Sequence, residues 1–187
     1  IIGRNKGRRR NILKKKLVEN ITSLQLGKND LSESEGDFKF NAIVAHADIV
    51  NDNGFILDGD VIEFEREKYP FLFNHSDNEL LGEVRTHFDD TQRAYVSEIT
   101  IYESKSDIIK AIKNGVYDSV SISYYFDEFN FGDNDELIVK HAIMCEVSLV
   151  SVGADRDAKI VANELKEEHR ATIMAENKLR EIKKAYE

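Results

Sequence analysis

Residues 116–126 read Val-Tyr-Asp-Ser-Val-Ser-Ile-Ser-Tyr-Tyr-Phe, and their side chains alternate between an apolar and a hydroxyl-bearing series. This period of two predicts a β-strand, because successive side chains of a strand point to opposite faces of the sheet. Val120 and Ile122 fall on the apolar face, whereas Ser121 and Ser123 fall on the other. A face of hydroxyl groups is typical of a strand surface exposed to solvent. A serine there becomes a nucleophile only if a base takes its proton.

The same period recurs through most of the chain between residues 38 and 152. The predicted strands cover residues 38–50, 69–74, 80–86, 94–102, 116–126 and 137–152. Turn-forming residues such as those at 51–54 separate them. Residues 61–67 are compatible with either a strand or a helix. Residues 107–114 predict one short helix inserted before the strand at 116–126, and Gly115 ends it.

Helical spacing is found at both ends of the chain. Leu13, Leu17, Ile21 and Leu24 recur every three or four residues, which indicates a short amphipathic helix. Residues 158–187 carry a longer apolar stripe of the same period. The predicted fold class is therefore α+β: a compact, mainly antiparallel β-barrel-like domain with an inserted short helix and flanking N- and C-terminal helices.

Composition shifts divide the chain into three predicted segments. Residues 1–37 form a basic arm, the short amphipathic helix and a polar linker, residues 38–162 form the β domain, and residues 163–187 form a C-terminal helical extension. Residues 1–16 carry eight basic side chains and no acidic one, although the whole chain has a net charge of −9. Such an arm binds nucleic acid only weakly without interleaved aromatic residues, and its simplest role is that of a solvated tail.

The composition also limits the class of protein. No stretch approaches the ~20 apolar residues that cross a bilayer, and the N-terminus lacks the apolar core of a secretory signal. We therefore predict neither a membrane protein nor export by that route. Cys145 is the single cysteine, which excludes an internal disulfide framework and suits a reducing compartment.

His75 follows the apolar run Phe71-Leu72-Phe73, so it would lie where a predicted strand leaves the sheet. A side chain there can be held rigidly and still meet a substrate. Imidazole titrates near ~6.5 when unperturbed, which suits a general base at neutral pH. A surface histidine at a turn is the simpler interpretation, and His46, His87 and His141 compete with it for the role of base.

Glu146 is unusual because both faces of its predicted strand are largely apolar. Strict alternation would place it on one face with Met144 and Ser148. A partly buried carboxylate needs a hydrogen-bonded or charged partner. A histidine ring N–H would serve, and an ion pair with Arg85 or Arg93 is the structural alternative.

Other chemistries have weaker signals. Cys145 could act with His141, but its apolar neighbours indicate a buried and unreactive thiol. His46 and Asp48 are two residues apart with no second pair of ligands nearby, so no metal site is predicted. The chain also lacks phosphate-binding, dinucleotide-binding and Gly-x-Ser-x-Gly motifs, and no cofactor is predicted.

Taken together, three local sequences resemble the prohead (capsid maturation) serine proteases of tailed bacteriophages, whose fold is shared with the herpesvirus assembly protease. The first is Phe-Asn-His75-Ser-Asp-Asn-Glu-Leu-Leu-Gly82. The second is Val120-Ser-Ile-Ser-Tyr124, and the third is Glu146-Val-Ser-Leu-Val150 followed by Gly153-Ala-Asp-Arg-Asp-Ala158. The resemblance covers residues 38–162. Ser123 and Gly153 stand where the family usually has glycine and proline.

The resemblance implies a catalytic triad in which Ser121 is the nucleophile, His75 the general base and Glu146 the residue that orients the imidazole. Arg156 is a candidate donor to the oxyanion, with backbone N–H groups as the default. No metal or organic cofactor is implied.

By the same resemblance, the function is that of a serine endopeptidase of phage head maturation. It would cut the scaffolding region of the major capsid protein, and itself, inside the assembling prohead in the host cytoplasm. A homodimer is also a candidate assembly. The alternative from another class is a non-enzymatic capsid assembly or scaffold-binding module, in which nothing would depend on Ser121.

Overall fold

The computed structural model describes residues 16–24, 36–51, 53–151 and 170–180. Nine strands and one α-helix, preceded by a 3₁₀ turn at Glu103–Lys105, form the main body. The strands are β1 Lys16–Ser23, β2 Phe38–His46, β3 Phe55–Leu57, β4 Ile62–Glu63, β5 Tyr69–Phe73, β6 Ser76–Asp89, β7 Ala94–Ile101, β8 Ser119–Phe131 and β9 Leu137–Val150, and the helix is α1 Ser106–Lys113.

The strands form one mixed sheet in the order β1-β8-β9-β5-β6-β7-β2. Strand β9 is its centre, because β8 lies along one side of it while β3, β4 and β5 follow one another along the other side in parallel pairing. The remaining pairs are antiparallel, as predicted. In the part of the chain that the structure describes, no ladder joins β1 to β2. The sheet is therefore not closed, and the predicted barrel-like shape is wrong.

The predicted N-terminal helix is also wrong. Residues 16–23 form β1, which pairs antiparallel with β8 over its whole length, so that Ile21 faces Ser121. A spacing of four residues, as between Leu17 and Ile21, fits both a helix and a strand, and β-branched residues favour the strand. The ladder with β8 decides in favour of the strand, because it satisfies the backbone N–H and C=O groups of every second residue of β1. The rest of the predicted arm and linker, and the boundary at 162, lie outside the described residues.

One face of the sheet carries the hydrophobic core. In β2 the predicted alternation is confirmed, because Phe38, Phe40, Ala42 and Val44 are all buried. In β8 the core face is also as predicted, with Val120 and Ile122 fully buried. Helix α1 adds Ile112 to the core, which is the one residue of that helix that is buried.

The central strand changes face at Cys145. Ser123 of β8 pairs with Glu146, but the next residue, Tyr124, pairs with Met144, so Cys145 is the extra residue of a β-bulge. Before the bulge Met144 belongs to the core, and after it Val147 does. Strict alternation would have placed Glu146 beside Met144, and this prediction is wrong because the bulge turns Glu146 away from the core.

Little of the described structure is helical. The C-terminal helix predicted at 158–187 is described over residues 170–180, where every residue is exposed. Arg170 forms an ion pair with Asp135, in the connection between β8 and β9, at an Nη2–Oδ2 distance of 2.5 Å. Within the described residues, no helix is long and apolar enough to cross a membrane.

Gly82 is required where β6 packs edge to edge with β7. A Cβ atom added there would lie 1.8 Å from the carbonyl oxygen of Thr100, which is backbone and part of the ladder. We expect Gly82→Ala to lower the free energy of unfolding by about 3 kcal/mol and the Tm by roughly 6–12 °C.

A thermal melt checks this expectation, with Gly115→Ala as the control. Gly115 has a φ of +69° but open space around its Cβ position, so alanine there carries only the strain of a left-handed residue, about 1 kcal/mol. Equal Tm values for the two variants would contradict the clash at Gly82.

Candidate active site

His75 occupies a two-residue turn that joins β5 to β6. Phe73 pairs with Ser76, and the two residues between them, Asn74 and His75, have φ values of +48° and +57°. Positive φ at both positions is the conformation that tight hairpins of this kind require, and asparagine tolerates it well. Histidine adopts it less readily, so His75 is held in a strained backbone conformation.

The turn is fixed to the end of β9 by hydrogen bonds from both of its residues. The backbone N–H of Asn74 donates to the carbonyl of Leu149 at 2.9 Å. The side-chain oxygen of Asn74 accepts from the backbone N–H of Ser151 at 2.9 Å, and the backbone N–H of His75 donates to Ser148 Oγ at 3.1 Å. These hydrogen bonds hold His75 next to the end of β9.

The imidazole of His75 binds the carboxylate of Glu146. The distance from Nδ1 to Oε1 is 2.6 Å, and Glu146 is only 9% exposed. An ionised carboxylate can only accept, so Nδ1 carries the proton and donates it, and in the neutral ring Nε2 is then the nitrogen with a lone pair. The second carboxylate oxygen, Oε2, accepts from Ser148 Oγ at 2.7 Å. This arrangement is that of a histidine oriented as a base by a carboxylate.

Ser121 lies on the strand next to this pair. It is directly opposite Ser148, and Ser123 is directly opposite Glu146. Residues opposite one another in an antiparallel ladder have Cβ atoms about 5 Å apart on the same face. The pairing therefore places Ser121, Glu146 and Ser148 on one face of the sheet, and His75 contacts the last two.

The hydroxyl face of β8 is not a solvated surface, which corrects the simpler interpretation of its alternation. Ser121 is 0% exposed and Ser123 3% exposed. Ser121 Oγ forms no hydrogen bond with any described residue. A buried hydroxyl without a hydrogen bond is costly, and it distinguishes Ser121 from Ser97 and Ser148, whose buried hydroxyls have partners.

The structural alternative for Glu146 is excluded, because both candidate arginines pair elsewhere. Arg85 binds Glu67 at 3.4 Å. Arg93 binds Asp48 at 2.7 Å and Asp90 at 2.6 Å. The partners of Glu146 are instead a histidine and a serine.

His141, a rival for the role of base, is held between two carboxylates. Its Nδ1 lies 2.6 Å from Asp127 Oδ1, and its Nε2 lies 3.1 Å from Glu63 Oε2. The hydrogen bond that His141 donates to Asp127 raises the pKa of His141, and the one that it donates to Glu63 adds to the effect. Both ring nitrogens are occupied, so neither is left for the thiol of Cys145, which is half-buried with its Sγ 3.8 Å from the carbonyl of Ile143.

The raised pKa of His141 predicts how its contribution to the stability of the fold changes with pH. Because its pKa is raised in the folded state, its protonated form stabilises the fold below its unfolded pKa, and this contribution is lost as the pH rises through the folded value. We expect His141→Gln to lower the Tm more at pH 5 than at pH 9, which thermal melts at the two pH values check. An equal fall of the Tm at both pH values would show that the protonated imidazole adds no stability to the fold.

Two further expectations from the sequence concern a metal site and the donor to the oxyanion. Among the residues described here, no group of three or more His, Cys, Asp or Glu side chains is arranged to hold a metal ion. His46, of the weak His46–Asp48 signal, is exposed, while Asp48 binds Arg93. Arg156, the candidate oxyanion donor, lies outside the described residues.

Sequence reasoning missed the contributions of Ser148 and Asn74. Ser148 is fully buried and contacts both His75 and Glu146. A signal for Ser148 was present, since its position two residues after Glu146 places both on one strand face. Asn74 before His75 was a signal for a turn with positive φ.

Comparison with known proteins shows the family to which the chain belongs. Residues 59–172 match the caudovirus prohead serine proteases. The chain belongs to this family of phage serine proteases, as its local sequences predicted. Two relatives, from Lactococcus phages p2 and SK1, are each named "Probable capsid maturation protease". Each is 37% identical to the chain over 181 residues, a match that covers 92% of this chain and 99% of the relative.

A solved structure supports the same fold. The capsid assembly protease of bacteriophage T4 superposes with a TM-score of 0.56, covering 73% of this chain and 98% of that one. The two sequences are 11% identical, so this likeness concerns the fold alone. It agrees with a mainly β architecture with few helices.

Proposed function

We propose that the chain is a serine endopeptidase of phage head maturation in which Ser121, His75 and Glu146 form the catalytic triad. The observation that carries this proposal is the 2.6 Å bond from His75 Nδ1 to Glu146, on the face of the sheet where Ser121 lies buried without a hydrogen bond to any described residue. Membership of the prohead protease family supports the type of reaction.

The proposed mechanism uses the three side chains in the usual order. His75 Nε2 takes the proton of Ser121 as Oγ attacks the scissile carbonyl, and the Glu146 carboxylate stabilises the imidazolium that forms. His75 then gives the proton to the leaving amine, and water hydrolyses the acyl-enzyme by the same route in reverse. Since Ser121 has no exposed surface and no hydrogen bond here, a movement that uncovers the hydroxyl and closes its contact with His75 precedes the attack.

The names of the relatives support a proposal for the substrate. Both phage relatives are named as capsid maturation proteases. We therefore propose that this chain cuts the major capsid protein in its scaffolding region, and itself, inside the assembling prohead in the host cytoplasm.

The test is co-expression of the full chain with the major capsid protein of its phage, as wild type and as Ser121→Ala, followed by intact-mass measurement of both proteins. Trimmed capsid protein with the wild type, and whole capsid protein with the variant, is the expected result. Identical trimming in both would overturn the assignment of Ser121. Whole chains in both, even where capsids assemble, would favour the non-enzymatic assembly module.

A further inference from the structure

Ser148 contacts both of the residues that would act on Ser121, and no role has been assigned to it. Its side chain is fully buried at the end of β9. Its hydroxyl donates to Glu146 Oε2 at 2.7 Å and accepts from the backbone N–H of His75 at 3.1 Å. The hydroxyl of Ser148 thus donates one hydrogen bond and accepts another within the site.

These contacts close a ring of hydrogen bonds. The ring runs from the backbone N–H of His75 to Ser148 Oγ, from Ser148 to the Glu146 carboxylate, and back to Nδ1 of the same histidine. His75 is therefore held at its backbone and at its ring by two side chains that are two residues apart on one strand. The bond from the backbone N–H of His75 to Ser148 and the bond from Ser148 to Glu146 run donor to acceptor in one chain and so polarise each other, whereas Nδ1–H donates to the other oxygen of the carboxylate.

The ring of hydrogen bonds also offsets two energetic costs of the site, the left-handed backbone of His75 and the burial of the Glu146 carboxylate. The left-handed conformation of His75, with φ +57°, needs surrounding bonds that keep it in place. The carboxylate of Glu146, almost entirely buried, needs a hydrogen-bond donor at each oxygen, and Ser148 supplies the second. Without Ser148 the imidazole and the carboxylate would each gain freedom to rotate away from Ser121.

Ser148 is not a rival nucleophile, although it faces Ser121 across the ladder. Its hydroxyl hydrogen is directed to a carboxylate oxygen and not to an imidazole nitrogen. A serine is activated when a neutral base accepts its proton and then passes it to the leaving group. Ser148 makes no such contact with a ring nitrogen, because its hydroxyl bonds the carboxylate of Glu146 and the backbone N–H of His75.

We propose that Ser148 is a positioning residue of the active site, which sets the orientation of both His75 and Glu146 towards Ser121. This inference rests on the proposed function, because it assigns Ser148 a part in the same reaction. It does not make Ser148 a catalytic residue, since the hydroxyl is engaged with protein groups and not with substrate.

The test is Ser148→Ala in the full chain, with the rate of capsid-protein trimming followed over time during co-expression. Loss of such a supporting contact is expected to slow trimming by about 10–100-fold. The matched control is Ser97→Ala, because Ser97 is also fully buried and its hydroxyl bonds Thr86 Oγ1 at 2.7 Å, away from the site. Both variants lose a buried hydroxyl and a little stability, but only Ser148→Ala should slow trimming.

A spectroscopic measurement separates positioning from a general loss of stability. The Nδ1 proton of His75, in a 2.6 Å bond to a carboxylate, should give a strongly deshielded NMR resonance in the wild type and in Ser97→Ala. In Ser148→Ala we expect this resonance to shift or to broaden by exchange with solvent. Ser148→Cys, which keeps the approximate size of the side chain and weakens both bonds, should change it in the same direction if alanine does not fold.

The outcomes distinguish this inference from the proposed function. Trimming at the wild-type rate by Ser148→Ala with an unchanged His75 resonance, while Ser121→Ala is inactive, would overturn the role of Ser148 alone. Trimming at the wild-type rate by Ser121→Ala would overturn the proposed triad itself. Equal slowing by Ser97→Ala and Ser148→Ala would reduce Ser148 to a structural residue.

Discussion

Ser121→Ala should reduce the rate of capsid-protein cleavage by roughly 10⁴-fold or more, because removal of the nucleophile of a serine protease leaves only the contribution of substrate binding and oxyanion stabilisation. The same substitution should stabilise the fold. Ser121 Oγ is buried and makes no hydrogen bond with the described residues, so its removal relieves a desolvation cost of about 1 kcal/mol. In a chain of this size that raises the Tm by roughly 2–4 °C.

Ser121→Ala is thus expected to lower the cleavage rate but to raise the Tm, which a general loss of folding would not do. Thermal melts of Ser121→Ala and Ser97→Ala give the comparison, since both serines are 0% exposed but Ser97 has a hydrogen-bond partner in Thr86. Ser97→Ala should lower the Tm, whereas Ser121→Ala should raise it. A Tm that falls equally in both variants would mean that the Ser121 hydroxyl is satisfied in the resting protein.

Glu146→Gln is expected to slow cleavage by about 10⁴-fold while the fold remains intact. Ser148 donates to Oε2, which requires an oxygen at that position, so the amide NH₂ of the new glutamine would face Nδ1 of His75. Nδ1 would then accept, the proton would move to Nε2, and the ring would lose the lone pair that takes the proton of Ser121. The charge that stabilises the imidazolium would be lost as well.

The control for this variant is Glu63→Gln, which makes the same change beside another histidine. Glu63 Oε2 lies 3.1 Å from Nε2 of His141, on the exposed part of β4. Cleavage rates measured with the same capsid protein should be unchanged for Glu63→Gln. Retention of more than a tenth of the wild-type rate by Glu146→Gln would exclude Glu146 as the residue that orients the base.

The strands of the β domain were predictable because alternation is a local signal, and β2 and the core face of β8 follow it closely. The order of the strands in the sheet was not predictable, since it depends on pairing between strands far apart in sequence. Strand β1 shows why a local signal can mislead: its apolar spacing fits a helix, and only the ladder with β8 makes it a strand. The bulge at Cys145 likewise has no local signature, yet it decides which face Glu146 occupies.

For the site, sequence identified the residue types and the structure supplied their contacts. His75 and Glu146 were chosen as an ionisable group at a strand end and a carboxylate within an apolar strand, and the 2.6 Å bond between them is observed. Asn74 indicates the turn, but the hydrogen bonds that hold it could not be anticipated, because they join residues more than 70 positions apart in sequence. The same distance concealed the contact between Ser148 and His75.

The turn at Asn74–His75 restricts how relatives of this chain can diverge. Its two residues bond to Ser148, Leu149 and Ser151, at the end of β9 and just beyond it, so an insertion of one residue would move the imidazole by up to about 3.8 Å and break the set of bonds. Surface connections elsewhere in a domain usually tolerate such changes. Among prohead proteases with this site, the length of this hairpin should therefore be kept even where the sequences of its two strands have drifted apart.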